Sequence, residues 1–348
     1  YGKSGDRFLS IRELSRENAI SLVTAQQVMV LLRNRGLISM FGNAYYLTIG
    51  RMSFQSPLYQ LIKSKVYFEH KNPLIGIHVN EINNPFFSAL LKHITTSVKE
   101  RGYSSVIMCS NGNPDAERQI LKDFIAMGVE GIISCPNHDD TLYQVYENYI
   151  LPVVFLARRF TVEGIEYALI DNNMASRHVA NHLIKMGYEH FLYIGLDSVK
   201  KDDVRCVSFI KELSNHGYSI PDENVFLMVK DDNYKIPYIL QHKIRKTEKP
   251  LGIFCYHDLI AVQVLLLCNK LRLKVPQDVG IVGFDNLPIT KQVLPTLTTV
   301  GYSFRDMSEA AVVQLIQSFH SAKDIHLSSS ENINYVLHTR QSTNRILV

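Results

Sequence analysis

Residues 251–284, LGIFCYHDLIAVQVLLLCNKLRLKVPQDVGIVGF, decide the fold class of this chain. The stretch contains two uninterrupted apolar runs, 251–255 and 279–284, separated by a segment of helical length at 257–271. Apolar runs without polar alternation are typical of strands that are buried on both faces. A strand, a helix and a second strand in this order predict a right-handed crossover within a parallel sheet.

The same unit recurs along the chain from residue 72 onward. The further apolar runs are 74–79, 104–109, 131–135, 152–156, 191–195 and 225–229, and the further helical stretches are 85–101, 114–127, 174–187 and 203–216. About eight such units are too many for one compact open sheet, so we predict an α/β body of two Rossmann-like parallel-sheet subdomains. A TIM barrel is the alternative, because it also has eight strands.

Composition places the chain among ordinary globular proteins. It has 348 residues, of which 46% are hydrophobic and 20% charged, and this length allows two or three domains. No stretch reaches the roughly 18 consecutive apolar residues of a membrane helix. The N-terminal sequence has no apolar run behind a basic segment, so we expect a cytoplasmic protein without a membrane partner.

Cysteine usage and glycine motifs argue against several kinds of site. The five cysteines are Cys109, Cys135, Cys206, Cys255 and Cys268. They are odd in number and widely spaced, which predicts buried free thiols rather than disulfides or a zinc site. The chain contains neither G-x-G-x-x-G nor G-x-x-x-x-G-K-[ST], so a site for the phosphates of a nucleotide has no support. We therefore expect no cofactor, and the cysteine spacing leads us to expect no metal.

The net charge of +4 is unevenly distributed. Residues 1–71 carry ten Lys and Arg against four Asp and Glu, whereas the rest of the chain is close to neutral. A basic head on a neutral body indicates that the first segment binds a polyanion. We interpret residues 50–72 as a linker between a head at 1–49 and a body at 73–348.

The head has the pattern of a small DNA-binding domain. Ser10 and Glu13 have the spacing of a capping box, and Ser21 is placed to cap a second helix that ends at Gly36. The apolar stripe of that helix consists of Leu22, Ala25, Val28, Met29, Leu31 and Leu32. Two short strands about a turn at Gly42-Asn43 follow. Helix, short turn, helix and β-hairpin predict a winged helix-turn-helix.

In such a domain the first turn of the second helix enters the major groove of duplex DNA. Glutamine pairs with adenine, and hydroxyl or cationic side chains reach phosphates. The candidate DNA-binding residues are Arg12, Ser21, Thr24, Gln26, Gln27, Gly42 and Asn43. Each also has a purely structural interpretation, since glutamines are good surface helix formers and a hairpin turn favours glycine.

Polar and aromatic residues follow the predicted strands of the body. Ligands of open α/β sheets bind beyond the carboxyl ends of the strands. The candidates at these ends are Asn84, Phe86, Phe87, Ser134, Arg158, His257 and Asp285. Arg205 is a further candidate, because it lies on the helix after the fifth predicted strand and can point back to the same edge. Aromatic rings together with carboxylate and guanidinium groups suit a monosaccharide. Arg158 is alternatively a surface charge, Asp258 a helix N-cap, and Asp171 and Asn172 turn residues.

Catalysis has little support in the sequence. We find no nucleophile elbow, no H-E-x-x-H and no pair of histidines with metal-ligand spacing. The best polar cluster, His138-Asp139-Asp140, is explained by a helix N-cap. We therefore expect a binding protein and no enzyme.

The head also resembles a known group. GDRFLSIRELSRENAISLVTAQQVMVLLRNRGLI is similar to the GntR-type DNA-binding head, and the match covers about residues 5–49. It differs from the usual pattern at Leu9 and Ala25. The first helix of that group would precede Tyr1, so we expect the natural chain to begin upstream. The resemblance implies double-stranded operator DNA as a partner.

The body resembles the effector domain of the LacI/GalR repressors, which shares the fold of periplasmic sugar-binding proteins. The matching strings include LIDNNMASRHVANHLIKMGYEHFLYIG and VPQDVGIVGFDNLPITKQVLPTLTTV. A GntR-type head on such a body is similar to arabinose-responsive repressors. The resemblance implies an aromatic wall at Phe86 and Phe87, a cleft arginine at Arg205, a carboxylate at Asp285 and a hinge-proximal contact at Tyr302. His257 stands where the family usually has Asn.

The resemblance further implies a two-lobed, periplasmic-binding-protein-like body of type I. We expect lobe one at about 73–160 and 297–325 and lobe two at about 161–296 and 326–348. The chain would cross between the lobes near 157–168, 286–297 and 322–332. Helices 85–101 and 114–127 are the expected homodimer faces.

These observations predict a ligand-responsive, sequence-specific DNA-binding transcription regulator, a repressor whose effector is a small molecule such as a monosaccharide. Two other classes stay open: a solute-binding protein of a sugar transporter or a quorum-type sensor, and an enzyme.

Overall fold

The computed structural model describes residues 5–34, 37–48, 72–137, 139, 142–147, 149, 151–157, 165–197, 203–228, 236–320 and 332–345. The chain divides into two compact units. Unit 1 comprises residues 1–169 and 304–331, and unit 2 comprises residues 170–303 and 332–348.

The head, part of unit 1, has the predicted order of elements. Its elements are β1 (Arg7–Phe8), α1 (Ile11–Glu17), α2 (Leu22–Asn34), β2 (Ile38–Phe41) and β3 (Ala44–Leu47). The capping box is confirmed, because Ser10 Oγ accepts a hydrogen bond from the Glu13 amide and Glu13 Oε2 accepts one from the Ser10 amide. β1, which the sequence analysis missed, pairs with β3 and makes a three-stranded antiparallel sheet in the order β1-β3-β2.

The apolar stripe of α2 is only partly as predicted. Ala25 and Met29 are buried in the small core of the head. Leu22 and Leu31 are instead 55% and 51% exposed, so their assignment to the stripe was wrong. Leu31 lies about 120° around the helix from Ala25, and Leu22 is the first residue of the helix. Gly36, the predicted C-cap, lies outside the described residues.

The body contains the remaining elements. Its strands are β4 (Leu74–Val79), β5 (Ser104–Cys109), β6 (Gly131–Ser134), β7 (Val153–Leu156), β8 (Glu166–Ile170), β9 (His190–Leu196), β10 (Val225–Met228), β11 (Leu251–Cys255), β12 (Val279–Phe284), β13 (Thr298–Tyr302), β14 (Asn332–Ile333) and β15 (Tyr335–His338). Its helices are α3 (Pro85–Glu100), α4 (Pro114–Ala126), α5 (Tyr143–Glu147), α6 (Asn172–Lys185), α7 (Val204–Asn215), α8 (Tyr238–Lys246), α9 (Asp258–Lys270) and α10 (Phe304–His320).

Unit 1 is built on parallel strands in the order β8-β7-β6-β4-β5. β4 is central, and its residues Ile75 to Val79 are buried on both faces as the apolar run predicts. Gly76 is required by packing, because a Cβ there would lie 3.0 Å from the Phe124 ring of α4. α4 therefore packs directly on the middle of the sheet.

Unit 2 contains a second open sheet in the order β10-β9-β11-β12-β13-β15. The strands run parallel apart from β15, which pairs antiparallel with β13. In β11, Leu251 pairs with His190 on one side and Val279 on the other, so the quoted strand-helix-strand segment forms the middle of the sheet. Two separate open sheets confirm the two-subdomain prediction and exclude the TIM barrel.

The structure of the body contains elements that were not predicted from the sequence. They are the strands β8, β13, β14 and β15 and the helices α5, α8 and α10. The chain passes from one unit to the other after residue 169 and again after residue 303. The crossings predicted from the sequence, at 157–168 and 286–297, lie slightly earlier in the chain. The remaining passage follows residue 331.

Four of the five cysteines are buried free thiols, as predicted, and Cys109 is partly exposed. Within the described ranges, no helix is long and apolar enough to cross a membrane.

Candidate functional site

Arg205 lies at the carboxyl ends of β11 and β12 in unit 2, where it contacts Tyr256 and Phe284. This arginine is the second residue of α7, whose N-cap Asp203 accepts a hydrogen bond from the Arg205 amide at 2.8 Å. Its side chain is held by two acceptors: Nε donates to Asn172 Oδ1 at 2.8 Å, and Nη1 donates to the Tyr256 carbonyl at 2.7 Å. Arg205 is only 9% exposed, so its guanidinium is fixed and largely dehydrated.

Two aromatic rings fix the plane of this guanidinium. Its central carbon lies 3.6 Å from the centroid of Phe284 and 4.6 Å from that of Tyr256. A desolvated cation on an aromatic face gains about 2 kcal/mol. Burial by itself would lower the pKa of Arg205, but Tyr256 and Asp285 more than offset this, so the pKa is raised. Arg205 is a permanent, preorientated cation.

Asp285 and Tyr302 form a second polar pair at the same edge. The Tyr302 hydroxyl donates to Asp285 Oδ1 at 2.7 Å. Burial raises the pKa of Asp285, while Arg205 and the hydrogen bond from Tyr302 oppose that rise. Burial and the Asp285 carboxylate raise the pKa of Tyr302 well above its usual value, so its hydroxyl keeps its proton.

Backbone conformation orients Asp285. Asp285 and Asn286 both have positive φ, at 96° and 51°, which is unusual for residues with a side chain. Buried Asp258 holds this turn: its Oδ2 accepts from the Leu287 amide at 2.7 Å and its Oδ1 from Thr299 Oγ1 at 2.6 Å. The prediction that Asp258 is a helix N-cap was wrong, because the N-cap of this helix is His257. The carboxylate instead supports the turn that carries Asp285.

The N-cap of α9 is His257. Its Nδ1 accepts a hydrogen bond from the Ile260 amide at 3.3 Å, so the neutral ring carries its proton on Nε2. His257 lies next to Tyr256, whose carbonyl binds Arg205. The predicted position of His257 at the end of β11 is therefore correct, and its ring has both a capping role and a donor nitrogen.

The C-terminal segment reinforces the loop that follows Asp285. Arg340 Nη2 donates to Asn286 Oδ1 at 2.6 Å, and Nη1 donates to Thr290 Oγ1 and the Leu297 carbonyl at 2.9 and 2.7 Å. One guanidinium thus ties three points of the segment between β12 and β13. The site in unit 2 rests on a rigid frame.

The aromatic candidates lie at the start of α3 in unit 1. Asn84 is the N-cap of that helix, and its Oδ1 accepts from the Phe86 amide at 2.9 Å. The partly exposed Phe86 ring makes edge contacts with Phe87 and Phe304, with centroids 5.0 and 5.7 Å apart. Phe87 is 5% exposed and points into the core. Only Phe86 therefore presents a ring that a ligand can reach, and the assignment of Phe87 to an aromatic wall is corrected.

Ser134 is also not available to a ligand. It is fully buried, and its Oγ lies 2.9 Å from His78 Nδ1 and 2.7 Å from the Tyr146 hydroxyl. That hydroxyl donates to buried Glu117 Oε1 at 2.5 Å. The sequence pattern identified the strand end correctly. The side chain turns inward because His78, on the neighbouring strand, needs a buried partner.

The candidate Arg158 lies outside the described residues. The same holds for His138 and Asp140 of the cluster at 138–140. In the described parts of the chain, no three His, Cys, Asp or Glu side chains are grouped as metal ligands.

The head presents its polar candidates on the surface. Ser21 Oγ accepts from the Thr24 amide at 3.0 Å and lies 2.8 Å from Thr24 Oγ1, so it caps α2 as predicted. Arg12, Gln26 and Gln27 are exposed as well. The hairpin tip at Gly42 and Asn43 is exposed, and the φ of +61° at Gly42 suits a two-residue turn between paired Phe41 and Ala44.

The residues that position Arg205 and Asp285 were not predicted as site residues from the sequence. They are Asn172, Tyr256, Asp258, Phe284, Thr299 and Arg340. Asn172 and Asp258 were noted but interpreted as structural residues. Phe284 was within reach of sequence reasoning, since it immediately precedes Asp285 on a strand end.

The chain is similar in sequence to a known domain family and to known repressors. Residues 180–343 match the model of the periplasmic binding protein-like domain. The chain is 28% identical over 249 residues to the sucrose operon repressor of Streptococcus mutans, an alignment that covers 70% of this chain and 74% of the relative. It is 22% identical over 286 residues to the arabinose metabolism transcriptional repressor of Geobacillus stearothermophilus, covering 77% and 78% respectively.

A solved structure gives the same fold. A LacI family transcriptional regulator from Lactobacillus casei with bound sucrose aligns with a TM-score of 0.66 and 21% identity, over 78% of this chain and 100% of that one. The body therefore has the periplasmic-binding-protein-like α/β fold with two sheets, and the similar curated proteins are named as transcriptional repressors.

Proposed function

We propose that this protein is a ligand-responsive transcription regulator, a repressor that binds operator DNA through its head and a small effector at the carboxyl edge of unit 2. One observation carries the effector assignment. Arg205 is fixed by two hydrogen bonds and two aromatic faces beside the Asp285–Tyr302 pair. A buried ion is weak evidence for a stabilising role, and a cation that is held in one orientation by several partners is typical of a group that recognises a ligand.

The chemistry of the edge favours a monosaccharide. Arg205 supplies N–H donors and Asp285 supplies an acceptor, and together these two groups match neighbouring hydroxyl groups of a sugar. The names of the sucrose and arabinose repressors, and the sucrose in the Lactobacillus casei structure, support the same class of ligand.

For the head we propose a winged helix-turn-helix of the GntR type. The resemblance of residues 5–49 supports it, and so does the three-stranded sheet with its exposed tip at Gly42-Asn43. Ser21, Thr24, Gln26 and Gln27 would face the major groove, and Arg12 would contact a phosphate.

We further propose that the protein works as a homodimer with one head on each operator half-site. Two-fold symmetric repressors read half-sites about one helical turn apart. Effector binding changes the affinity for DNA only if the effector prefers one of two conformations, and such coupling is typically about 1–3 kcal/mol.

A thermal-shift screen tests the effector assignment. Pentoses, hexoses, disaccharides, sugar phosphates and nucleobases are each added to the whole chain. A ligand at 100 times its Kd adds about 2.7 kcal/mol, which corresponds to a rise in Tm of roughly 5–10 °C.

Arg205→Lys should abolish most of the shift caused by the best sugar, because a lysine cannot reproduce the planar fork. Exposed Arg245 on α8 provides the control, and Arg245→Lys should leave the shift unchanged. Full retention of the shift in Arg205→Lys contradicts the site, and a nucleobase as the only hit contradicts the sugar.

A further inference from the structure

Tyr193, in the middle of β9, has a buried hydroxyl that the structure leaves unused. The side chain is 1% exposed, and its hydroxyl has no hydrogen-bond partner among the described residues. Buried polar atoms are almost always paired, because an unpaired one costs about 1–3 kcal/mol. A phenylalanine at this position would avoid this cost, so the presence of the tyrosine hydroxyl requires an explanation.

The strand aims this hydroxyl at the carboxyl edge of the sheet. Tyr193 and Gly195 lie on the same face of β9, since side chains alternate along a strand. A Cβ at Gly195 would lie 2.9 Å from Tyr193 Cε1, which means that the ring lies over Gly195 and points along the strand. Phe254 and Phe209 pack against the ring, with centroids 5.5 and 6.3 Å away. Glycine at 195 thus permits the ring to reach the edge.

The face of the sheet that carries Tyr193 leads to the candidate site. Phe254 of β11 pairs with Tyr193 in register, and Tyr256, two residues beyond Phe254, has its ring centroid 4.6 Å from the central carbon of the Arg205 guanidinium. Burial, followed by Asp203, raises the pKa of Tyr193 well above its usual value. The group is therefore a neutral phenol, which both donates and accepts a hydrogen bond.

We propose that the Tyr193 hydroxyl is a specificity-determining group that hydrogen-bonds a hydroxyl of the effector at the base of the Arg205 site. This inference rests on the proposed function, since it requires a polyhydroxylated ligand at that edge. A site that leaves a buried polar group unpaired rejects analogues that lack the matching hydroxyl. Tyr193 would thus discriminate a sugar from its deoxy analogue.

The test compares two buried tyrosines of unit 2. Tyr188 is fully buried, and its hydroxyl donates to the Pro276 carbonyl at 2.8 Å. Tyr188→Phe removes a hydrogen bond within the fold, so Tm without ligand should fall by about 2–4 °C while the Kd for the effector stays the same. Tyr193→Phe removes a hydroxyl that the fold does not use, so Tm without ligand should stay the same or rise.

Binding is measured with L-arabinose, D-xylose, D-ribose, D-glucose, D-fructose and sucrose as the probes. For the sugar that binds the wild type best, Tyr193→Phe should raise the Kd about 10-fold. The deoxy analogues of that sugar identify the hydroxyl concerned: one of them should bind the wild type and Tyr193→Phe equally weakly.

Two results overturn the inference. The first is a loss of Tm in Tyr193→Phe equal to that in Tyr188→Phe, which would show a structural hydrogen bond. The second is an unchanged Kd for a sugar that the wild type binds. If none of the six sugars binds the wild type, the proposed sugar effector fails, and the inference fails with it, whatever the melting data show.

Discussion

Replacing Asp258 by alanine should weaken both the fold of unit 2 and the effector site, although Asp258 is not expected to touch the effector. Its carboxylate accepts hydrogen bonds from the Leu287 amide and the Thr299 hydroxyl at 2.7 and 2.6 Å. These bonds hold the turn in which Asp285 and Asn286 adopt positive φ. Without them, the turn loses the support that orients the Asp285 carboxylate.

The size of the effect follows from these contacts. Asp258, Leu287 and Thr299 are all buried, and alanine at position 258 would leave the Leu287 amide and the Thr299 hydroxyl without the Asp258 acceptor, which costs about 1–3 kcal/mol each. Burial, followed by Asp285, raises the pKa of Asp258 well above its usual value, so burying the carboxyl group has a cost that offsets part of this stabilisation. We expect a net loss of about 4 kcal/mol in the free energy of unfolding, a fall in Tm of roughly 8–16 °C.

Differential scanning calorimetry of the whole chain measures this change. Asp258→Asn is the matched control, because its amide oxygen still accepts from the Leu287 amide, and it should lose about half as much. The best sugar should also bind the alanine variant at least about 10-fold more weakly at a temperature where both proteins are folded. A fall in Tm below about 3 °C, or unchanged binding, would refute the role given to Asp258.

Burial lowers the pKa of His182 to about 4, so the contribution of its neutral form to stability is complete above pH 6.5 and is lost as the pH falls toward 4. The difference in unfolding free energy between the wild type and His182→Gln should therefore change by up to about 2 kcal/mol between pH 7.5 and pH 5. A difference that stays constant over this pH range would contradict the prediction. Phe87→Ala should cost about 3–5 kcal/mol in a denaturant titration because the Phe87 ring is buried, whereas Phe86→Ala should cost clearly less. The opposite pattern would reverse our assignment of the two rings. Ser134→Ala should lower Tm by about 2–4 °C and leave the sugar Kd unchanged, because its hydroxyl serves the core. Arg12→Ala should weaken binding to all duplexes and reduce the slope of log K against log salt by about 1, and an unchanged slope would remove it from the phosphate contacts.

Much of the fold was predictable because helices cover both faces of a parallel sheet. The strands are therefore buried on both faces and appear in the sequence as continuous apolar runs. β13 was missed for a physical reason: Thr298 and Thr299 are buried, and their hydroxyls bond to Thr343, which follows β15, and to Asp258 on α9. A buried polar residue is recognisable only when its distant partner is known. β8 was missed because only two of its five residues are buried.

The site shows the same limit. Arg205 and Asp285 were found because they follow strands, and position after a strand is a local property of the sequence. Asn172 holds Arg205 from 33 residues away, and the Tyr256 carbonyl from 51 residues away. Ser134 follows the same local rule, yet His78 turns it inward. Local pattern thus predicts where a site lies, whereas pairing across the sheet decides which side chains face it.

The coupling of effector binding to DNA binding tests the central claim most directly. A duplex is selected from a random pool by the whole chain, and its affinity is measured by fluorescence anisotropy with and without the sugar that raises Tm most. We predict that the selected duplex binds at least about 1,000-fold more tightly than a scrambled one, and that the sugar changes its Kd by about 5–150-fold. Equal binding to both duplexes, or a Kd that the sugar leaves unchanged, would contradict a ligand-responsive regulator.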